Sequence, residues 1–503
     1  MGDLPASIAS PVRIGRMAYM EERDVIVIGA GIAGLTAARE LRDLDPLVFE
    51  ASDRVGGRIW SQQRGDLAVS VGAHMFPPPA STVGRMVEEY GLEVLPITGS
   101  MLNVALRGRL VSDIRPELMP FKLPLSTRGR VSFARAGLKV KRIGDAYMKL
   151  AVPRRGESAA DVRLRLLQYG GDRSFADFLG PLHPEAAEIY RALCNRTIAE
   201  PDEISEGSMA ALFGHVWDSG DLGRNMRGGS GLLTDALGAD LADHIRLQTR
   251  ATRLAFDGAG VTVGYEGPDG AGEVRARAAI VAVPAPDLAP FMRDAMTPGF
   301  ASAVDRVRFG PHIVTSIRTD ETEPMPWDDI YSILTPDLGF TMFFNHANAL
   351  RGTGAPKQGS VLMVYTGADR GRALLGKTDD EIQQHHLASL DRLFPELRSR
   401  IVELWTKPWE HAGPFGAPGR WRAQETLERG LGGRVFVAGD WVSDFVSMET
   451  AALTAVDAAA EARALIERGG GQQPAARPVV VPRDPKATKR VQAFFGDASS
   501  AEE

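Results

Sequence analysis

The sequence predicts an α/β chain with two parts. One is a discontinuous, doubly wound dinucleotide-binding domain; the other is an α+β domain with a mixed sheet and a helical insertion. Three observations carry this. A β-branched run enters a GxGxxG turn and a helix near the N-terminus. A second short strand ending in Gly-Asp lies close to the C-terminus. Between them, amphipathic helical stretches precede a set of strand-like apolar runs. At 503 residues the chain is long enough for two or more cores.

The first element is Val25-Ile26-Val27-Ile28, short and β-branched as a buried parallel strand should be. Gly29, Gly31 and Gly34 follow as GxGxxG. The first permits the tight turn, the second lets a pyrophosphate touch backbone, and the third lets helix pack on strand. The helix after them, rich in Ala, Leu, Arg and Glu, aims its N-terminal amides and dipole at phosphate. A second strand, Pro46 to Phe49, ends in Glu50, which lies 21 positions after Gly29. That is the distance at which an acid accepts hydrogen bonds from an adenosine ribose.

The next residues, ASDRVGGR from Ala51 to Arg58, resemble the extended signature of the flavin amine oxidase superfamily. That group spans monoamine oxidases, protoporphyrinogen oxidases and phytoene-desaturase-like FAD-dependent oxidoreductases. The resemblance implies FAD, with Gly56 and Gly57 letting backbone approach it and Arg58 near its diphosphate and flavin. A second block, RVFVAGDWVSDFVSMETAA from Arg434, resembles the family's closing motif. It implies a strand from Val435 to Ala438, then Gly439 and Asp440 at the ribityl or diphosphate part of FAD. Met448 and Glu449 would open a helix aimed at the flavin's pyrimidine edge, where a helix N-terminus stabilises negative charge. Thr450 stands where the family usually has glycine.

Intervening blocks are similar too. Arg227–Leu241 resembles the glycine-rich lead into a helix, and Ile245–Leu254 a strand near the adenine, with Ala251 in place of the usual valine. Ala279–Pro284 matches the buried strand that crosses back out. Gly72-Ala73 resembles the strand leading under the flavin, which makes Ala73 a cofactor contact, although Ser70 replaces the usual acid.

These blocks divide the chain into an N-terminal extension (1–22), an FAD-binding domain (23–80, 222–299 and 396–467), and a substrate domain (81–221 and 300–395). A flexible C-terminal tail follows (468–503), with a short helix over Lys486–Gly496 as its one candidate element. The first insertion is helical in character, with amphipathic stretches over Ser174–Leu182 and Pro184–Ala192. The second holds strands around Ile313–Ile317, Phe340–Phe344 and Val361–Tyr365.

Composition narrows the class. Hydrophobic content of 44% and charged content of 24% are those of a globular protein, and a net charge of −6 gives no case for nucleic acid. The one cysteine, Cys194, allows no internal disulfide. No apolar run approaches a membrane span, and the first 22 residues lack the apolar core of a secretory signal, so a cytoplasmic protein is expected. Met17 and Met20 are alternative starts. From Arg128 to Arg155 nine basic residues meet one acid, Asp145, with apolar residues between. Such a segment is either a helix with a solvated face and a core face, or a peripheral contact to an anionic membrane.

For the chemistry, departures from the family matter most. The place of the cysteine that often holds FAD covalently is taken by Pro414, so a noncovalent flavin is expected. The two positions of the substrate-sandwiching aromatic pair fall at Phe415 and Ser447, leaving one ring. The water-holding lysine is replaced by Val314; a register shift of two would put His312 there. His74 could take a proton as hydride leaves, or only bond to backbone. His312, His346 and His411 are weaker candidates of the same kind. Phe343, Phe344, Trp405 and Trp409 could line an apolar site, although strand alternation lets only one of the Phe343-Phe344 pair face it. HExxH and CxxC are absent from the sequence, and Gly228–Leu232 fails as a GxSxG elbow because Leu232 takes the last glycine's place.

The preferred reading is a noncovalent FAD oxidoreductase taking hydride from a carbon of a small or medium apolar substrate, giving C=C or C=N, with oxygen or another acceptor. Desaturase- or dehydrogenase-type chemistry is placed ahead of amine oxidation. Oxidative deamination is the alternative, and a flavin-free interaction protein like the Rab escort and GDP-dissociation inhibitors is the second alternative. Asp440 and Met448-Glu449 argue against the last.

Overall fold

The computed structural model describes residues 20–112, 115–157, 159–214, 223–443 and 446–469. The N-terminal extension up to residue 19 and the tail from residue 470, with its candidate helix, lie outside them.

One seven-stranded sheet is assembled from distant parts of the chain. The strand Glu21–Ile28 pairs in parallel with Leu47–Phe49 on one side and with Gly270–Val281 on the other. Ile245–Arg246 extends the first side, and Val435–Val437 pairs in parallel with the far end of Gly270–Val281. Val25 to Val27 are fully buried because helices cover both faces, as the continuous apolar run requires. The stretch expected as one strand over Ile245–Leu254 is broken by a turn. Its second half, Arg250–Phe256, joins an antiparallel meander with Val261–Gly267 and Gly270–Val281.

The helix Ile32–Glu40 covers one face of this sheet and packs against the closing helix Met448–Glu467. Small side chains make that approach close: Ala37 and Ala38 on the first, Ala455, Ala459 and Ala462 on the second, all buried. Gly34 sits where helix crosses strand, and a Cβ there would lie 1.8 Å from the Gly29 carbonyl oxygen. Any side chain would push the helix off the sheet.

A second seven-stranded sheet runs in the order Ile401–Phe415, Arg308–Thr319, Val361–Gly367, Met342–Asn345, Ser332–Leu334, Asn103–Leu106, Arg109–Val111. All its pairings are antiparallel except Ser332–Leu334 with Asn103–Leu106, which is parallel. Two contributions depart from the expected boundaries. The long strand Ile401–Phe415 lies within the span assigned to the dinucleotide domain, yet forms the edge of this sheet. Two strands of the helical insertion join its opposite edge. Both departures follow from pairing partners that no local pattern specifies.

The basic segment forms one helix, Thr127–Ala151, capped by the Ser126 hydroxyl, which accepts from the Gly129 amide at 3.1 Å. Its apolar side, Phe133, Ala136, Val140 and Ile143, is buried against Glu206–Gly214 and Pro184–Arg196. The core thus accounts for this side of the amphipathic pattern, while the basic residues lie mainly on the outer face together with the exposed Val131 and Leu138. No helix among the described residues is long and apolar enough to cross a membrane.

Between the second sheet and the helix Asp379–Leu393, His386 is wholly buried. Its ring nitrogens meet the hydroxyls of Thr315 (2.8 Å) and Thr366 (2.9 Å). Burial pulls its pKa from 6.5 down to about 3. The unfolded chain therefore binds a proton that the folded chain refuses, and this contribution to stability is lost as pH falls from about 6.5 towards 3. The urea midpoint should drop on going from about pH 7 to about pH 5, and His386→Gln should flatten that slope. An unchanged slope in the variant would assign the acid sensitivity elsewhere.

Candidate functional site

Gly31 is the residue before the first helix, and no side chain caps that helix; its first turn carries no acid. The leading amides are thus left without a side-chain partner, as an anion site requires. A Cβ built on Gly31 would meet only the Cα of Gly57, at 4.0 Å, so packing does not demand glycine here. The space beside it is the cradle that a diphosphate needs. Facing it, Gly56 and Gly57 have φ of +98° and +55°, and Gly56 bridges to Gly31 strand-fashion while its amide donates to the Ala30 carbonyl at 2.8 Å. Glu50 sits at the end of the second strand. Its carboxylate accepts from the amides of Ala30 (2.8 Å) and Ser52 (2.9 Å) and from the Ser52 hydroxyl (2.7 Å), which fixes it at the rim of the glycine turn.

The closing motif reaches the same place. Gly439, at φ +139°, directs the chain so that Asp440 meets Arg58 in a two-pronged ion pair of 2.7 and 3.0 Å. Arg58 also donates to the Ala412 carbonyl at 2.9 Å, tying in the second sheet's edge strand. Met448 is buried and lines the adjoining cavity. Glu449 does something the sequence did not reveal: its two oxygens accept from the amides of Thr82 and Val83, both at 2.8 Å. It therefore caps the helix Thr82–Glu89, and only Met448 of that pair faces the cavity. Thr450 bonds through its amide and hydroxyl to the Ser447 hydroxyl, both at 3.0 Å, so Ser447 caps the closing helix.

Beside these residues lies a cavity of about 420 Å³. It brings together Arg58, Ala73, His74, Phe415, Ser447 and Met448. Val314 and His312, two apart on one strand, both face it, as do Phe344, Tyr365, Trp409 and Pro414. Phe344 is the cavity member of its pair, and Phe343 packs on the sheet's opposite side. Trp405 does not line the cavity; its ring meets Trp60 edge-on at 4.8 Å. Ala251, on the meander away from the cavity, is half-buried. His411 pairs with Asp287 at 3.2 Å, at the surface.

His74, His312 and His346 cluster. The rings of His74 and His346 lie 4.2 Å apart, and His312 sits 4.2 Å from the Tyr365 ring. The Nδ1 of His74 lies 3.2 Å from the Gly72 carbonyl, which can only accept, so Nδ1 carries the hydrogen and Nε2 the lone pair. That Nε2 and the Nε2 of His312 are buried without a partner among the described residues. Burial lowers the pKa of His74 to about 4 and of His312 to about 3, so both are neutral near pH 7. No described group of side chains could hold a metal ion.

Sequence reasoning missed two basic residues. Lys407 lies opposite Val314 on the neighbouring strand, its ammonium 5.1 Å from the Trp409 ring and 5.7 Å from that of Trp60. The alternation Trp405-Thr406-Lys407-Pro408-Trp409 was its available signal. Arg196 lines the cavity from the end of the helix Pro184–Arg196, where no motif marks it.

Residues 32–463 match the flavin containing amine oxidoreductase family. The chain belongs to that family. It is an FAD-dependent oxidoreductase, and the glycine cradle fits that cofactor. Among curated relatives, amine oxidase [flavin-containing] B of Sus scrofa is 26% identical over 259 residues, 48% of this chain and 46% of that protein. Putrescine oxidase of Kocuria rosea is 45% identical over 74 residues, 14% of this chain and 16% of that protein. Alignments to such relatives span about half their length or less. Two solved structures share the fold over nearly their whole length. Putrescine oxidase bound to putrescine has a TM-score of 0.70 at 19% identity, covering 88% of this chain and 99% of that one. Cyclohexylamine oxidase from Brevibacterium oxydans has a TM-score of 0.67 at 20% identity, covering 89% of this chain and 100% of that one.

Two outcomes test the cofactor site. Gly31→Val should purify with little flavin yet keep a melting temperature close to that of flavin-free wild type, because a Cβ there meets nothing closer than the Gly57 Cα at 4.0 Å; retained flavin would place the diphosphate elsewhere. Acid precipitation should release FAD intact, since Pro414 offers no thiol and Cys194 is wholly buried in the apolar core of the helical insertion. Flavin absorbance remaining with the pellet would show a covalent bond.

Proposed function

We propose that this enzyme removes hydride from a carbon bearing a neutral nitrogen, in a small or medium substrate with an apolar body. FAD, when bound, supplies the hydride acceptor. Apolar walls alone, with Phe415 on one side and Val314 and Phe344 elsewhere, would suit a hydrocarbon as well. The observation that favours nitrogen is the pair of buried imidazole nitrogens, on His74 and His312, that lack partners in the cavity wall. A purely apolar ligand would leave each of them desolvated and unpaired, at about 1–3 kcal/mol apiece. A substrate with N–H groups satisfies them. His74 is held neutral, so its Nε2 can accept a hydrogen bond from the N–H of a neutral amine and orient the carbon that gives up hydride. Kinship with amine oxidases supports the same direction.

The carbon–carbon reading keeps two observations of its own. Ser447 stands in place of the second ring and Val314 in place of the lysine, and both line the cavity. Anaerobic mixing of the yellow protein with amines, cyclic ketones and isoprenoids separates the two. Some amine should bleach the flavin faster than any ketone or isoprenoid, and His74→Leu should slow that bleaching by removing the acceptor for the substrate N–H. Faster bleaching by an alicyclic ketone or isoprenoid would instead establish carbon–carbon oxidation.

A further inference from the structure

The charge inventory of the cavity is one-sided. Three arginines line it, Arg58, Arg196 and Arg420, and among the described residues no aspartate or glutamate does. Two are committed. Arg58 is paired with Asp440, and Arg420 is buried with one amino group donating to the Trp441 carbonyl at 2.9 Å. Arg196 is different. Its guanidinium makes no hydrogen bond or ion pair with the described residues; beyond the helix's own backbone bonds, its carbonyl accepts from the Tyr365 hydroxyl at 3.3 Å.

A basic residue at a helix C-terminus interacts favourably with the dipole, which gives Arg196 a plain structural role. That role would be served equally by a side chain turned to solvent. Here the charge is directed inward, as two tyrosines report. Burial pushes Tyr365 up to about 12 and raises Tyr331 further, and in both the nearby Arg196 opposes the rise. Tyr365 lines the cavity, and Tyr331 lies behind it with its ring 5.6 Å from that of Phe344. A partly buried guanidinium facing an apolar cavity without a counter-ion calls for an anionic ligand, and its planar fork matches a carboxylate.

We propose that Arg196 recognises a carboxylate on the substrate, with Tyr365 beside it, so that the substrate is an amino acid with an apolar side chain. This rests on the reading of the cavity as the site of carbon–nitrogen oxidation. The α-carbon gives up hydride, whose two electrons go to the oxidised flavin, and the nitrogen loses a proton. The resulting imino acid adds water and releases ammonia, leaving the 2-oxo acid. Dioxygen takes up the two electrons with two protons as hydrogen peroxide.

The test measures binding before turnover. The holoenzyme is titrated with 3-phenylpropionate and with the uncharged isostere 3-phenylpropanamide, by calorimetry and by perturbation of the flavin spectrum. The acid should bind more tightly than the amide by about 10- to 100-fold. Arg196→Gln should abolish that preference while retaining flavin and amide binding, and Arg196→Lys should restore part of it. Equal binding of acid and amide by wild type, or an undiminished preference in Arg196→Gln, would overturn the proposal. Flavin reduction by phenylalanine and by 2-phenylethylamine then separates it from the reading beneath it. Faster reduction by the amino acid, lost in Arg196→Gln, supports both. Fast reduction by the amine with no carboxylate preference leaves carbon–nitrogen oxidation standing and removes the carboxylate site. Arg196-dependent carboxylate binding without reduction by either compound retains the anion site and removes carbon–nitrogen oxidation.

Discussion

Everything in the cofactor half depends on backbone meeting backbone where side chains would ordinarily intervene. Gly34 lies against the Gly29 carbonyl, and Gly31 against Gly56 and Gly57. The first contact seats the helix on the sheet; the second brings the segment after Glu50 across the helix N-terminus. These four glycines beyond Gly34 do different work. Gly29, Gly56 and Gly57 have positive φ and meet a conformational requirement of the chain itself. Gly31 has an ordinary φ of −73° and open space around it. Its requirement comes from the ligand, which is why the two kinds of glycine are separable by experiment although they look alike in sequence.

Around that contact the Arg58–Asp440 pair acts as a clasp. It joins residues from the two ends of the chain and, through the Ala412 carbonyl, reaches the edge strand of the second sheet. Asp440 is buried, and removing Arg58 would leave its carboxylate without its ion-pair partner. The cofactor motifs and the substrate sheet are therefore coupled through one guanidinium, that of Arg58.

What could be read from sequence was whatever depends on local geometry. The strand, the glycine turn, the helix after it and Glu50 at the second strand's end follow from spacing, whereas Asp440 after Val435–Val437 was implied by resemblance. The expectations that Phe415, Ser447, Val314 and His74 share a site rested on resemblance, and the structure gathers all four around one cavity. Tertiary choices were not legible. Glu449 caps a helix hundreds of residues away in sequence, and the strand Ile401–Phe415 joins the second sheet because Arg308–Thr319 offers it a complete edge. Arg196 carries no local signature either, since its significance lies in which other charges are missing around it. Its neighbourhood also changed the balance between chemistries: polar atoms left open in an apolar wall define a substrate more sharply than the rings do.

The discontinuous first sheet has a consequence for how the protein comes into being. Its middle strands come from both halves of the sequence, and Val435–Val437 and the closing helix complete it. During translation the glycine turn emerges long before the strand that precedes Asp440. The second sheet has nearly all its strands available sooner, lacking until late only its edge strand Ile401–Phe415. High contact order makes such an assembly slow, and its parallel edges stay unpaired meanwhile. Closure of the cradle thereby waits for Val435–Val437 and the closing helix, and a chain interrupted shortly before Val435 would hold most of its substrate chamber while having no closed cradle for the flavin.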